Sequence, residues 1–409
     1  MIKKYISMYK LIKRKIQVKT LRYIVKLLLR LIKYPNISEE EMYEAFLKFL
    51  GVKHIILTNS GREALYLALK ALDIPKKSTV LLQSFTCIHV LNSIIRLGFT
   101  PMFLDTDPIF LINITARVLK NYLSKYYDKR IKAVILQYTY GYPVNVKEIK
   151  RICEEYNLYL IEDCAMALGV KIFNKMAGSY GDISIFSLTK GMFNIGGGFL
   201  CTNNYDIYKK AKEISFKEYK KILDTKAILL YIEKLRTSLF ESYGCVIDLI
   251  EYLKRDIQKR RIKHIFENQC RPLGIFAKLA YIQLRDILHH NSKRRENIEH
   301  LVKTLPARVE SIDYSKMLVK NSNFIPSYLY IPLYFKKRVS EKRGIDKALF
   351  HFKSIIRPWR PLHKSFKRFN KERLINTEYV YDHLLITPNS PFYGEEELKE
   401  LKDILEFLA

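Results

Sequence analysis

The 409-residue chain lacks the features that mark several protein classes. Its six cysteines are scattered singly, without a CxxC pair or the Cys/His spacing of a zinc site, which favours a reducing compartment over a disulfide scaffold or a structural zinc protein. No apolar run reaches membrane-spanning length without a charge, and no signal-peptide cleavage pattern follows the basic start. Repeats and low-complexity tracts are absent as well. We therefore expect a cytoplasmic globular protein, and its length predicts two domains.

Acidic residues are scarce, because 71 lysines and arginines face only 41 aspartates and glutamates, for a net charge of +30. Such a balance indicates attraction to anionic lipid, nucleic acid or phosphorylated small molecules. Residues 1–33 contain eleven basic residues and no acid, with apolar residues between them, a pattern that predicts one or two basic amphipathic helices. Two interpretations stay open: an anchor on the inner face of a membrane, or a helix packed on the protein's own body with a solvated basic face.

The rest of the chain alternates strand-like and helix-like segments. This alternation predicts an α/β fold with a mostly parallel, doubly wound sheet. We expect an N-terminal extension over 1–37, a large domain over 38–265 with a basic helical insert at about 215–265, and a smaller C-terminal α/β domain over 266–409. The predicted strands of the large domain cover 54–58, 79–83, 100–105, 133–137, 159–163, 183–188 and 199–202.

Ligands of such sheets bind at the carboxyl ends of the strands. Five residues that are able to contact a ligand lie at or just beyond the ends of predicted strands: Ser60, Phe85, Tyr140, Asp163 and Lys190. At the first of these ends, Ser60, Gly61 and Arg62 form a strand-to-helix turn, whose free N–H groups make a ready anion site.

Lys190 stands between two apolar strands in the segment GDISIFSLTKGMFNIGGGFLCTN, residues 181–203. Desolvation favours the neutral amine of a lysine, and a neutral amine is able to form a Schiff base with a carbonyl. The alternative is a surface lysine on a hairpin loop. Asp163 ends a buried strand, where a carboxylate needs a cationic partner such as a protonated pyridine nitrogen; the alternative is a helix cap or an ordinary salt bridge.

An ordered set of motifs resembles the DegT/DnrJ/StrS family of pyridoxal-phosphate-dependent sugar aminotransferases of fold type I. The resemblance covers residues 38–409. Its motifs are NSGREALYLALKAL (59–72), SFTCIHVLNSIIRLGFTPMFLD (84–105), YGYP (140–143), IEDCAMALG (161–169), FSLTKGMFNIGGG (186–198), QCRPLGIFAKLAYIQL (269–284), KRREN (293–297), RPLH (360–363) and LLITPNSPFYGEEEL (384–398).

The resemblance implies pyridoxal 5'-phosphate as cofactor and assigns roles to individual residues. Lys190 matches the Schiff-base lysine, and Asp163 matches the aspartate paired with the pyridine nitrogen. The phosphate-binding positions are matched by Ser187 and by the helix start at Ser60, Gly61 and Arg62. Gln269 and Arg271 match a segment that reaches the partner subunit's cofactor, which implies a homodimer with shared sites.

Several positions depart from the family pattern. Met166 replaces a glutamine that contacts the cofactor ring, and Arg62 replaces a small hydroxyl residue. Cys87 stands where an aromatic residue often stacks on the ring, which leaves Phe85 or His89 as candidates. Two further departures are that Ser187 lies two residues closer to the lysine than is usual and that Gly196 replaces a glutamate.

The expected reaction transfers an amino group from glutamate or glutamine to a keto sugar, nucleotide-linked, in surface-polysaccharide or glycan biosynthesis. Lys190 argues against the sugar dehydratases of the family, where the resemblance implies a histidine. The alternative is a non-catalytic or differently reacting homologue, or a basic protein associated with membrane or nucleic acid on a decayed enzyme scaffold. Of these partners, nucleic acid is the least expected, and no metal is predicted.

Overall fold

The computed structural model describes residues 2–33, 37–108, 112–194, 196–218, 274–304, 309–311, 323–335, 338 and 358–408. The predicted insert at 215–265 lies outside the described residues from 219 onward. Gln269 and Arg271 lie outside them too.

A seven-stranded sheet forms the centre of the large N-terminal part. Its strands run parallel except for β9, which pairs antiparallel with β1 and with β8. Their order across the sheet is β1-β9-β8-β5-β4-β2-β3, which confirms the predicted mostly parallel α/β sheet. In chain order the strands are β1 His54–Thr58, β2 Thr79–Gln83, β3 Thr100–Leu104, β4 Ile131–Gln137, β5 Tyr159–Asp163, the short β6 Lys171–Ile172 and β7 Lys175–Met176 outside this sheet, β8 Ile183–Ser187 and β9 Gly198–Thr202.

Helices cover both faces of this sheet, because successive strand residues are apolar toward opposite sides. Leu81 packs in one buried cluster, while its neighbours Val80 and Leu82 pack in the other. The first cluster includes residues of α2 (Glu39–Leu50), α5 (Ala116–Tyr126) and α6 (Val146–Glu155). The second includes residues of α3 (Gly61–Ala71), α4 (Ile88–Arg96) and α7 (Tyr205–Glu218).

The start of α2 shows how local sequence defines these helices. The Ser38 side chain accepts a hydrogen bond from the Glu41 N–H, and the Glu41 side chain accepts one from the Ser38 N–H. This reciprocal capping box satisfies two N–H groups that the first helical turn leaves without an acceptor. Gly51 ends the helix in the left-handed conformation, at φ 69°.

The C-terminal part begins with the long helix α8, Gly274–Thr304, which packs against the first buried cluster through residues such as Ala277 and Ile287. A second, three-stranded antiparallel sheet has the order β10-β12-β13. The remaining elements are β10 Val309–Ser311, β11 Phe324–Ile325, β12 Tyr330–Phe335, α9 Leu362–Ser365, α10 Ile375–His383, β13 Leu384–Pro388 and α11 Glu395–Leu408.

The basic N-terminal segment forms one helix, α1, Ile2–Lys33, which packs against α8 and α11. Leu27 of α1 is fully buried. Asp286 of α8 accepts hydrogen bonds from Tyr23 Oη and Arg30 Nη1, both at 2.7 Å, and Glu397 of α11 pairs with Lys19. A net basic body therefore presents acidic partners where the basic helix meets it. Across the described ranges, no helix has the length and apolarity needed to span a membrane.

Candidate active site

One cavity of about 380 Å³ opens at the carboxyl ends of the central strands. It collects residues that are far apart in the chain, because parallel strands end at the same edge of the sheet. Nine of the predicted site residues line it, which are Ser60, Gly61, Arg62, Cys87, His89, Asp163, Met166, Ser187 and Lys190. Gly196, where the resemblance indicates a lost glutamate, also lies on the wall.

Asp163 and Lys190 reach the cavity from the ends of the neighbouring strands β5 and β8. The Asp163 carboxyl is 5% exposed and accepts a hydrogen bond from the Ala165 N–H at 3.0 Å. Burial raises the pKa of Asp163 above its ordinary value, and the positive charge of Lys190 and the Ala165 N–H oppose that rise. Lys190 itself is half-buried. The Asp163 carboxylate thus has the Lys190 cation nearby and still lines the cavity.

The first turn of α3 forms a second wall of the cavity. Its N-cap residue Ser60 accepts a hydrogen bond from the Glu63 N–H at 3.3 Å. The N–H groups of Gly61 and Arg62 belong to the same turn, where a helix supplies no acceptor of its own and carries a partial positive charge. Together with the Arg62 guanidinium, this turn is suited to an anion.

Glycine is required where α3 meets the end of the sheet. A Cβ on Gly61 would lie 3.1 Å from Cβ of Ser187, and a Cβ on Gly198 would lie 2.5 Å from the backbone nitrogen of Gly61. The last contact is closer than two such atoms approach, so the glycine at 198 brings β9 directly beneath the helix start. Gly198 therefore allows a close approach of backbone to backbone.

One aromatic residue of the cavity wall, Trp359, was not among the residues predicted from the sequence. Trp359 lines the cavity, whereas the candidate Phe85 is fully buried behind it, with ring centroids 6.0 Å apart. Tyr140 stacks on Trp359 with an interplanar angle of 30°. The structure thus does not bring Phe85 to the cavity wall, which is lined instead by His89, Tyr138 and Trp359 among its ring-bearing residues.

Hydrogen bonds tie the segment that carries Trp359 to the loop after β2. The Ser84 hydroxyl accepts from the His363 N–H at 3.0 Å and lies 2.7 Å from His363 Nδ1. His363 Nε2 lies 3.3 Å from Glu378. Burial lowers the pKa of His363, which favours a neutral ring that accepts the Ser84 hydrogen at Nδ1 and donates from Nε2 to Glu378.

The loop after Lys190, residues 190–194, is held by α8. Gln283 Oε1 accepts a hydrogen bond from the Phe193 N–H at 2.7 Å. The buried Arg294 donates to the carbonyl oxygens of Asn389 at 3.1 Å and Gly191 at 3.4 Å. Sequence reasoning missed Gln283 and Arg294 as parts of the site, although both lie in quoted motifs, because their partners are about a hundred positions away.

Comparison with known proteins identifies the family. The sequence profile of the DegT/DnrJ/EryC1/StrS aminotransferase family matches residues 30–406. Among curated relatives, the chain is 33% identical over 167 residues to GDP-perosamine synthase of Vibrio cholerae, which covers 40% of this chain and 44% of that protein. It is 33% identical over 165 residues to UDP-N-acetyl-3-dehydro-alpha-D-glucosamine 3-aminotransferase of Acidithiobacillus ferrooxidans, which covers 40% of this chain and 43% of that protein.

The matched region thus spans less than half the length of these relatives. Among solved structures, a DegT/DnrJ/EryC1/StrS aminotransferase from Brucella abortus superposes with a TM-score of 0.71 at 17% identity, over 96% of each chain. This likeness shows the fold and confirms the predicted fold class. Since the family profile covers nearly the whole sequence, the resemblance is confirmed as well, and the chain belongs to the DegT/DnrJ/EryC1/StrS aminotransferase family.

Proposed function

We propose that this protein is a pyridoxal-phosphate-dependent aminotransferase that moves an amino group from glutamate or glutamine to a nucleotide-linked keto sugar in polysaccharide biosynthesis. The observation that carries the proposal is the meeting of Asp163, Lys190 and the first turn of α3 at one cavity. The activities after which the relatives from Vibrio cholerae and Acidithiobacillus ferrooxidans are named support a sugar substrate.

The residues of the cavity fit this cofactor. A buried carboxylate whose pKa is raised by burial is stabilised by a cation, as a protonated pyridine nitrogen would be. The N–H groups of Gly61 and Arg62 and the Ser187 hydroxyl suit a phosphate, with Thr189 Oγ1 3.0 Å from Ser187 Oγ. When bound, pyridoxal phosphate supplies an aldehyde that condenses with amines and a protonated ring that accepts electrons.

Lys190 and Asp163 have separate roles in this proposal. Lys190 Nζ would hold the cofactor by its aldehyde and, once released as a neutral amine, would move a proton between the substrate carbon that bears nitrogen and the cofactor. The negative charge of the Asp163 carboxylate would keep a proton on the pyridine nitrogen. Met166, Cys87 and His89 line the same cavity, where they would contact the ring or the substrate.

The second candidate is a family member that no longer catalyses transamination. Met166 and Gly196 lie on the cavity wall at positions where the resemblance indicates polar residues, which motivates this alternative. Arg62 stands in place of a small hydroxyl residue and adds a cation next to the anion-binding turn. This cation favours phosphate binding and therefore argues for a retained cofactor site. Retention of both Lys190 and Asp163 at one cavity favours the enzyme.

A cofactor titration followed by a substrate screen tests the proposal. The purified full-length protein should turn yellow with pyridoxal phosphate and bleach with borohydride. A panel of keto-sugar nucleotides with glutamate or glutamine as donor should then give an aminated sugar, detected by mass spectrometry. Protein that stays colourless with excess cofactor would favour the non-catalytic alternative. Coloured protein that is inactive on the whole panel would support cofactor binding but contradict a keto-sugar nucleotide as substrate.

Two finer parts of the proposal concern assembly. We propose a homodimer in which Gln269 and Arg271, both outside the described residues, complete the partner subunit's site. The support is the resemblance of QCRPLGIFAKLAYIQL to the family segment that crosses between subunits, together with the frequency of closed two-fold dimers.

We also propose that the outer face of α1 rests on an anionic membrane. Opposite the buried Leu27, this face exposes the apolar residues Val25, Leu29 and Ile32, the last two to 60% and 74%. The cations on the same face are Arg22, Lys26 and Lys33. Each cation near an anionic surface contributes about 1 kcal/mol, and the apolar side chains would enter the headgroup boundary.

Sedimentation with vesicles of phosphatidylserine and phosphatidylcholine tests this surface. The protein should bind, and binding should weaken at high salt and without phosphatidylserine. The double variant Leu29→Gln, Ile32→Gln should lose most of the binding, while Ile375→Gln, at a comparably exposed apolar residue of α10 (61%), should keep it. Equal binding by the double variant would exclude the α1 face and direct attention to the basic insert at 259–263.

A further inference from the structure

Tyr23 of helix α1 contacts residues 190–194, called here the lysine loop. The Tyr23 ring lies edge-on to Phe193 of this loop, with centroids 5.2 Å apart and an interplanar angle of 61°. Phe193 is three positions from Lys190. The N-terminal helix therefore contacts the loop that carries the candidate catalytic lysine.

Tyr23 occupies an aromatic cluster rather than a single contact. Its ring lies 5.0 Å from His290 of α8 and 5.5 Å from Phe392, between centroids. Phe193 also contacts Phe392 at 5.6 Å. Burial lowers the pKa of His290 to about 4, so this ring is neutral at physiological pH and packs as an aromatic. Such edge-on pairs contribute beyond the area they bury.

Both sides of the cluster are fixed by hydrogen bonds. On the α1 side, Tyr23 Oη donates to Asp286 at 2.7 Å, and burial and this bond raise the pKa of Tyr23 so that the hydroxyl keeps its hydrogen. On the loop side, the Phe193 N–H donates to Gln283 at 2.7 Å, and Gln283 Nε2 donates to the Phe193 carbonyl at 3.3 Å. Phe193 is thus held on one side by Tyr23 of α1, which contacts its ring, and on the other by Gln283 of α8, which bonds to its backbone.

Most of α1 lies outside the region that the family profile matches, which begins at residue 30. The profile match therefore does not include Tyr23. The loop it touches includes Gly191, whose φ is +79°, and it has two anchors on α8, at Gln283 and Arg294. Tyr23 supplies a third support from a different helix.

We infer that Tyr23 is a positioning residue, which holds Lys190 in place for its reaction by bracing Phe193. The inference rests on the proposed function for the role of Lys190, but the bracing is a property of the protein alone. Loss of the Tyr23 ring should loosen the lysine loop, and a looser loop should hold the cofactor less well.

Hydrogen exchange followed by mass spectrometry tests the bracing without cofactor. In Tyr23→Ala, peptides that cover 190–194 should exchange about three- to tenfold faster, the range of one aromatic pair, while peptides of β4 and β5 should exchange at the rate of the unaltered protein. Tyr23→Phe keeps the ring and should restore slow exchange. Val18→Ala, at a side chain on α1 that is 45% exposed, is the matched control and should change nothing.

Cofactor release tests the positioning. Protein loaded with pyridoxal phosphate should show a changed visible absorption band and release cofactor several-fold faster in Tyr23→Ala, with both returned to normal in Tyr23→Phe. Unchanged loop exchange in Tyr23→Ala, or faster exchange everywhere, overturns the bracing. Faster loop exchange with normal band and release overturns the positioning. An unaltered protein that takes up no cofactor defeats the proposed function, while the exchange result still decides the bracing.

Discussion

Asp163 and Lys190 carry opposite charges and line the same cavity: Asp163 ends β5, and Lys190 lies three residues beyond the end of the adjacent parallel strand β8. Burial raises the pKa of the Asp163 carboxyl, and the Lys190 charge is the largest influence that opposes the rise. Without a ligand the lysine is the main cation for this carboxylate. A protonated pyridine ring bound in the cavity would give this carboxylate a second cationic partner.

Lys190→Ala should abolish covalent attachment of pyridoxal phosphate and leave the fold intact. Lys190 is half-buried, and its removal should cost less than about 1 kcal/mol of unfolding free energy. The loss of a general base should lower turnover by about 10²–10⁴-fold. Borohydride reduction and peptide mapping check the site. The exposed Lys175 of β7 provides the control variant, and label on any lysine other than 190 would contradict the assignment.

Asp163→Asn should lower transamination by on the order of 10²–10³-fold, the range for loss of one preorganised electrostatic contact. The amide is nearly isosteric and its oxygen still accepts the Ala165 N–H, but it carries no charge to keep a proton on the ring. Steady-state turnover at saturating substrate measures the effect. Turnover close to that of the unaltered protein would mean that Asp163 does not pair with the pyridine nitrogen.

The same substitution should not destabilise the cofactor-free protein at neutral pH. The pKa of Asp163 is raised in the fold, so the stability it contributes is present at acid pH, below the pKa of the unfolded state. That stability is lost as pH rises through the higher folded-state pKa. Asparagine is neutral throughout and avoids the loss. Thermal melts at pH 7 should therefore give the Asn variant a Tm at least equal to that of the unaltered protein.

Glu63, at the start of α3, should make stability fall between about pH 4.5 and pH 8. Burial raises its pKa from 4.5 to about 8, against the opposing Asn59 N–H and the charges of Arg62 and Arg96. Because the fold binds the proton more tightly than the unfolded chain does, the free energy of unfolding decreases as pH rises across this window. Urea melts at several pH values give the free energy of unfolding, which should fall less steeply with pH in Glu63→Gln than in the unaltered protein. An equal fall in both proteins would mean that another group is responsible for the pH dependence.

Sequence predicted the parts of the site that depend on strand ends. Asp163, Lys190 and the turn at Ser60 each follow an apolar segment directly, and the parallel sheet then brings them together whatever lies between. The capping box at Ser38 and the end of α2 at Gly51 are local in the same sense. For such features the pattern of apolar residues and a few special side chains contain the needed information.

The remaining features depend on contacts between distant segments. Trp359 lies on the cavity wall, and Phe85 does not, because His363 of α9 bonds to Ser84, some 280 positions earlier. The ion pairs of α1 with Asp286 and Glu397 could not be predicted from the net charge. A total of +30 does not show which acidic residues lie next to the basic helix in the fold. No local pattern reports such pairings, which arise only when the elements pack.

Arg271 should act on the site of the partner subunit. Mixed chains of the inactive variants Lys190→Ala and Arg271→Ala should regain activity, because one of the two sites in a hybrid dimer then has both residues. The expected ceiling is roughly a quarter of the unaltered turnover for an equal, random mixture of two-fold dimers. Subunit exchange must be shown independently, for instance by native mass spectrometry of tagged chains. Complete exchange without any recovery would contradict a shared site.

Trp359 should report cofactor binding directly, because it is the one tryptophan of the chain and lines the cavity. Bound pyridoxal phosphate absorbs where tryptophan emits, so its addition should quench the fluorescence in a saturable way. Pyridoxal without the phosphate should require a much higher concentration, since it makes no use of the charge and N–H groups at the start of α3. Lys190→Ala should still show quenching, now reversible on dilution, because the aromatic wall and the anion site remain. Quenching that is linear in concentration and equal for both compounds would mean that the cofactor does not bind beside Trp359.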